Sequence, residues 1–103
     1  METQPSNKEI IETEINYLVT ILYGLAKALN EREENINSHT DPELISIYRD
    51  DCIAISEDFI KIAEQVKIRL GIYIEECNKD NEPVDLDYFR LYKTLNKLTE
   101  YAN

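Results

Sequence analysis

From Asp41 to Cys77 the chain keeps one rhythm. Apolar side chains stand at Ile45, Tyr48, Cys52, Ile55, Phe59, Ile62, Val66, Leu70, Tyr73 and Cys77, in steps of three or four residues throughout. That spacing is the stripe of a single long helix. No proline follows Pro42 within it, and Gly71 is its one glycine. At 1.5 Å per residue such a helix would be about 54 Å long. A compact chain of 103 residues has a radius of gyration near 13 Å and is only about 33 Å across. The rod must protrude unless something covers it.

The segments around it supply partial cover. Ser6 and Glu9 form the two ends of a capping box. A heptad seam follows at Ile11, Ile15, Leu18, Leu22, Leu25 and Leu29, and Ile36 continues it. A second row, Tyr17, Ile21, Gly24 and Ala28, widens that stripe, and its small pair reads as core packing. Asn37 to Thr40 break the pattern. Asp41 is then placed as the N-cap of the rod, with Pro42 at its first turn, where the missing N–H is harmless. A short loop between two amphipathic helices makes an antiparallel hairpin. Ser56-Glu57-Asp58 and Gly71 are weak points in the second helix, but the stripe runs through both. After a polar loop from Asn78 to Pro83, Asp85 or Asp87 caps a third helix with a stripe at Tyr88, Leu91, Leu95 and Leu98.

Two glycines and three prolines are too few for the turns of a sandwich or barrel. The fold class is therefore all-α: a long antiparallel helical hairpin plus a shorter third helix, expected to complete a helical bundle by dimerisation. The chain reads as a single helical domain over 1–103. A frayed N-terminal lead over 1–6 precedes helices at about 7–36, 42–77 and 86–101.

Length arithmetic locates a partner surface. The third helix turns back after Cys77 and spans about 25 Å, so it covers only the nearer half of the hairpin. The farther half sets Leu22, Leu25, Leu29 and Ile36 against Leu44, Ile47, Tyr48 and Ile55. Two helices alone cannot hide stripes this wide, and an exposed apolar patch marks an interface. These eight residues are the expected partner or dimer interface. Tyr17, Tyr23 and Tyr48 lie on or near it, and tyrosine suits a surface that is apolar at one end and wet at the other.

Charge narrows the partners. The chain carries 21 acids against 11 bases, a formal −10. Free nucleic acid and anionic membranes would repel it. No apolar run exceeds four residues, against roughly 20 for a membrane span. The first residues lack the basic start and apolar core of a signal peptide, which predicts a cytoplasmic protein. Asp85, Asp87 and Glu100 balance Arg90, Lys93 and Lys97, so residues 84–103 are neutral and residues 1–83 carry the whole net charge. Arg90, Lys93 and Lys97 share one side of the third helix and form a candidate charged contact.

Catalytic chemistry finds little support. Glu9/Glu12 and Glu31/Glu34 are E-x-x-E pairs, as in magnesium-holding helices, but no predicted helix carries an answering E-x-x-D. Di-iron bundles use Glu-x-x-His, and His39 has Ile36 three residues before it. Ser38 and Thr40 flank His39, yet sequence neighbours do not build a triad, and no glycine-rich oxyanion or phosphate loop is present. Cys52 and Cys77 would stand about 37 Å apart on one helix, beyond disulfide reach, and read as free thiols buried on the apolar stripe. No catalytic residue, cofactor or metal is expected.

The leading expectation is a non-catalytic helical protein–protein interaction module: an adaptor, an assembly subunit or a dimerising scaffold. Its partner is a second copy or another protein. The alternative is an acidic inhibitor, a nucleic-acid mimic or immunity-type protein that blocks a basic site on a nucleic-acid-processing partner. An all-α enzyme comes third. The first binds through apolar surface, the second through charge, and the third would need a carboxylate or metal site.

Overall fold

A computed structural model describes residues 6–102. The frayed lead expected before Ser6 lies outside the described residues. Three helices, α1 (Asn7–Ser38), α2 (Pro42–Lys79) and α3 (Leu86–Ala102), account for nearly all of the described chain. No strand occurs among the described residues.

Each helix starts where a side chain can satisfy its free amides. The Ser6 hydroxyl accepts from the Glu9 amide at 3.2 Å, and the Glu9 carboxylate accepts from the Ser6 amide at 3.3 Å, completing the capping box. The Asp41 carboxylate accepts from the Glu43 amide at 3.0 Å, with Pro42 in the first turn. Asp85, rather than Asp87, caps α3: its carboxylate accepts from the amides of Asp87 and Tyr88. α2 is continuous through Ser56 and Gly71. Three threonines inside helices, Thr13, Thr20 and Thr94, return their hydroxyls to the carbonyl four residues back, which satisfies each hydroxyl but shares the acceptor of a ladder bond.

The turn out of α2 is closed by a Schellman motif. The Glu82 amide bonds the Cys77 carbonyl at 2.9 Å and the Asn81 amide bonds the Asn78 carbonyl at 3.3 Å. Asn81 takes the left-handed position, with φ at 52°. Asparagine tolerates that region because its short amide bonds locally, while other non-glycine residues are strained there. Pro83 follows and prevents the helix from resuming.

Two interhelical ion pairs report the register of the hairpin. Arg69 meets Glu14 at 2.9 Å, and Arg32 meets Asp51 at 3.2 Å. Both pairs of residue numbers add to 83, so residue i of α1 stands opposite residue 83 − i of α2. The helices stay in step over their whole common length. Exposed pairs of this kind stabilise by only about 0–1 kcal/mol each. Their value lies in showing that neither helix slips.

α3 packs on α2, and its Tyr88 reaches across to α1. The molecule measures 60 × 34 × 19 Å with a radius of gyration of 17.7 Å. That is well above the roughly 13 Å of a compact chain this long. The buried side chains explain the shape. Ile15, Leu18, Leu22, Ala63, Val66, Leu70, Tyr73, Cys77 and Leu95 form one cluster, confined to the end of the hairpin that α3 covers.

Two tyrosines lock that end. Tyr73 and Tyr88 pack edge to face with centroids 5.1 Å apart. The Tyr73 oxygen accepts from the Asp85 amide at 3.3 Å, and the Tyr88 hydroxyl donates to the Asn16 side chain at 2.8 Å. One pair thus joins all three helices and the α3 cap. Burial pushes the Tyr73 hydroxyl up to about 12, helped by the neighbouring Cys77 thiol and opposed by the Asp85 amide. Burial also raises Tyr88.

Two outcomes follow from these contacts. Asn81→Ala should lower stability by about 1 kcal/mol, while Asn81→Gly should leave it unchanged or raise it, as read by urea unfolding. Alkali should weaken the tyrosine lock. Below pH 10 the contribution is fully present. Between pH 10 and about 12 the unfolded chain releases the Tyr73 proton and the folded chain holds it, so stability falls with rising pH. At about 1.4 kcal/mol per unit, the loss is roughly 2 kcal/mol. Tyr73→Phe should cost about 1 kcal/mol at pH 8 through the lost hydrogen bond. Its deficit against the wild type should shrink or reverse at pH 11.5.

Candidate partner-binding surface

Beyond Leu22 on α1 and before Ala63 on α2, none of the described side chains is fully buried. The hairpin continues over residues 23–38 of α1 and 42–62 of α2 without a core of its own. Leu25, Leu29 and Ile36 on α1 and Tyr48 and Ile55 on α2 are half-buried, each sheltered only by the opposite helix. Leu44 and Ile47 are exposed, Ile47 at 52%. Leu22 differs from its expected role: at 6% exposure it belongs to the core. The register explains this, because Leu22 stands opposite Lys61 and beside Ile62 and Ala63, where the cluster still has cover. The open surface starts one turn farther out.

Other expectations also shift. The Gly24/Ala28 pair does not fill the core. Gly24 is exposed, and a methyl group added there would meet nothing within 4 Å. Within its row Tyr17 is also exposed, while Ile21 packs against the core and Ala28 is half-buried. Cys77 is buried as expected, but Cys52 is only half-buried, since it lies in the thin part of the hairpin.

The sequence reading missed Ile53, which is 60% exposed, and Ile60, which is 36% exposed. They lie off the main stripe, but helical geometry connects them to α3. On α2, the Tyr92 ring of α3 lies 3.8 Å from the position of a Gly71 Cβ. Ile53 precedes Gly71 by 18 residues, five turns at 3.6 residues per turn, and so points the same way. Ile60 precedes it by 11, about three turns. On α1, Asn16 faces α3 through its bond with Tyr88. Tyr23 follows by seven residues, about two turns, and is 69% exposed. The face that α3 occupies near Gly71 therefore continues along the hairpin as Tyr23, Ile60 and Ile53. A period of 18 residues, counted from a glycine, is the signal that could have found it.

The tip of the hairpin is built as a cap. His39 Nδ1 lies 2.7 Å from the Asn35 carbonyl, which can only accept, so the nitrogen carries the proton. The Ser38 hydroxyl donates to the same carbonyl at 3.3 Å. Both spend their hydrogens on the end of α1. The His39 ring also rests against Tyr48, with centroids 5.3 Å apart. Among the described residues, no three of His, Cys, Asp and Glu converge as a group that could hold a metal ion.

The expected charged contact is on the outside of α3. Arg90, Lys93 and Lys97 are all exposed. Lys93 sits over the Phe89 ring at 5.1 Å, a weak cation–π contact worth about 0.5–1 kcal/mol at such a site. The ion pairs of the described residues use other cations: Lys8 with Glu82, Arg32 with Asp51, Arg69 with Glu14 and Lys79 with Glu76.

No family model, no curated protein and no solved structure matches this chain. No helix among the described residues is long and apolar enough to cross a membrane.

Substitution should separate the two halves. Leu70→Ala removes a side chain with 0% exposure and should cost about 2–5 kcal/mol. Ile47→Ala and Ile53→Ala should each change stability by less than about 0.5 kcal/mol. Paired thermal and urea melts would measure the contrast.

Proposed function

We propose that the protein is a non-catalytic helical interaction module that binds a protein partner through the apolar distal half of its hairpin. One observation supports this reading above the others. The core ends at Leu22 and Ala63, while the apolar pattern continues outward to Leu44 and leaves Ile47 and Ile53 at the surface. Maintaining a long in-register hairpin with no core of its own is unfavourable for the isolated chain. A protein that docks there would bury the half-covered seam at Leu25, Leu29, Ile36, Tyr48 and Ile55, together with its exposed flanks. An adaptor, an assembly subunit and a dimerising scaffold would all use such a surface.

The acidic-inhibitor reading draws on the charge alone, since residues 1–83 carry the full −10. It differs in what substitution should do. For the interaction module, Ile47→Gln combined with Ile53→Gln should abolish co-purification with the native partner from the host while circular dichroism stays unchanged. Retention of the partner by that variant, with release by moderate salt, would favour the inhibitor instead.

A further inference from the structure

The distal continuation of the α3 face has the length of one more helix and a definite chemical character. Tyr92 faces Gly71, and α3 ends ten residues later at Ala102, about 15 Å on. That brings it level with residues 60–62 of α2. From there to Leu44 the same face runs another 16 residues or so, about 24 Å. α3 itself has 17 residues, about 26 Å. The open track, with Tyr23 and Ile60 at its α3 end and Ile53 farther out, thus matches a second short helix laid end to end with α3.

Its charge indicates which helix. Residues 20–63, the distal part of the hairpin, hold nine acids and four bases. One of those bases, Arg32, is already committed to Asp51. A second copy docking its own distal half would bring the same excess of carboxylates against this one. The helix already on the hairpin lacks that acidic excess, since Asp87 and Glu100 near its ends are offset by three bases. Residues 88–98 of α3 carry Arg90, Lys93 and Lys97 and no acid, around the stripe Tyr88, Leu91, Leu95 and Leu98.

We infer that the distal track is the seat of a cationic amphipathic helix from another protein, with an apolar stripe at i, i+3/i+4 and i+7 and Lys or Arg on its flanks. This rests on the interaction-module reading and specifies its partner. The apolar stripe covers Ile53, Ile60 and Tyr23, in the manner of helix-in-groove recognition. The flanking cations meet Glu31, Glu34, Asp50 and Glu57, which outnumber Lys27 and Arg49 along the same line, and this balance favours a basic helix over an acidic one.

Two labelled 18-residue helical peptides test the assignment by fluorescence anisotropy against the full chain. Both carry leucine at the stripe positions; one has lysine flanks and the other glutamate flanks. The lysine peptide should bind at least tenfold more tightly than the glutamate peptide. Ile53→Gln with Ile60→Gln should weaken it at least tenfold, and Ile68→Gln, at an exposed site outside the track, should change it less than twofold. Melting curves of each variant confirm that it is folded. Equal binding of the two peptides overturns the charge assignment and leaves the apolar surface standing. Lysine-peptide binding that ignores Ile53→Gln/Ile60→Gln overturns the track as the seat. Failure of both peptides, with light scattering showing a dimer that the double variant dissociates, overturns the inference in favour of a second copy. Failure of both with a monomer, and no loss of native partner in the Ile47→Gln/Ile53→Gln variant, overturns the interaction-module reading as well.

Discussion

A 17-residue helix cannot cover a 38-residue one, and the rest of this structure depends on that mismatch. α1 follows α2 for nearly its whole length because the three-residue turn sets them antiparallel and their apolar stripes face each other, and the matched ion pairs report that register. Two helices side by side still leave each stripe partly open. Only where α3 is added do side chains reach full burial. The tyrosine lock, the Schellman turn and the Asp85 cap all sit at this end, where they fix how α3 folds back. The covered end therefore carries the cohesion of the monomer, and the other end has only the contact between two helices.

Much of this was legible in the sequence because it follows from local rules. Ser6 with Glu9 and Asp41 with Pro42 mark helix starts by side-chain chemistry that needs no tertiary context, and the structure has both. The continuity of α2 through Ser56 and Gly71 followed from an unbroken apolar period, against the local preference of both residues. Helix lengths follow from counting, and so does the conclusion that half of the hairpin lacks a third helix. What could not be read was lateral. Periodicity gives the centre of an apolar stripe but not which of its two flanks a third helix takes. Ile53 and Ile60 lie off the main stripe, and only the position of Gly71 under Tyr92 connects them to the α3 face. Leu22 looked distal by position but falls inside the core, because the boundary depends on where α3 stops along α2. Gly24 and Ala28 looked like a close-packing site, yet Gly24 is exposed with nothing near it and Ala28 is only half-buried.

The exposed isoleucines are informative for a reason beyond hydrophobicity. Isoleucine is a poorer helix former than alanine, leucine, lysine or glutamate, because its branched Cβ loses rotamer freedom against the preceding turn. On an exposed helix face it brings no local advantage. Single exposed apolar residues need no explanation, and Ile68 is one of these. Ile53 and Ile60 differ because they share a line with each other, with Gly71 and with the underside of α3. Alignment, rather than exposure, is what singles them out.

The same comparison bears on charge. An acidic rod with an apolar line is a mixed signal if the molecule is treated as uniform, since the charge favours solubility and the line favours association. The two are compatible if they select rather than oppose. Carboxylates bordering an apolar track lower its affinity for other acidic surfaces, including a second copy of this chain, and leave it open to a basic helix. α3 does not itself show that pairing, because its cations Arg90, Lys93 and Lys97 face outward and only its apolar stripe lies against the hairpin. The residues that look most dispensable to the monomer, Tyr23, Ile53 and Ile60, are then the ones whose position along that same line gives the distal half a use.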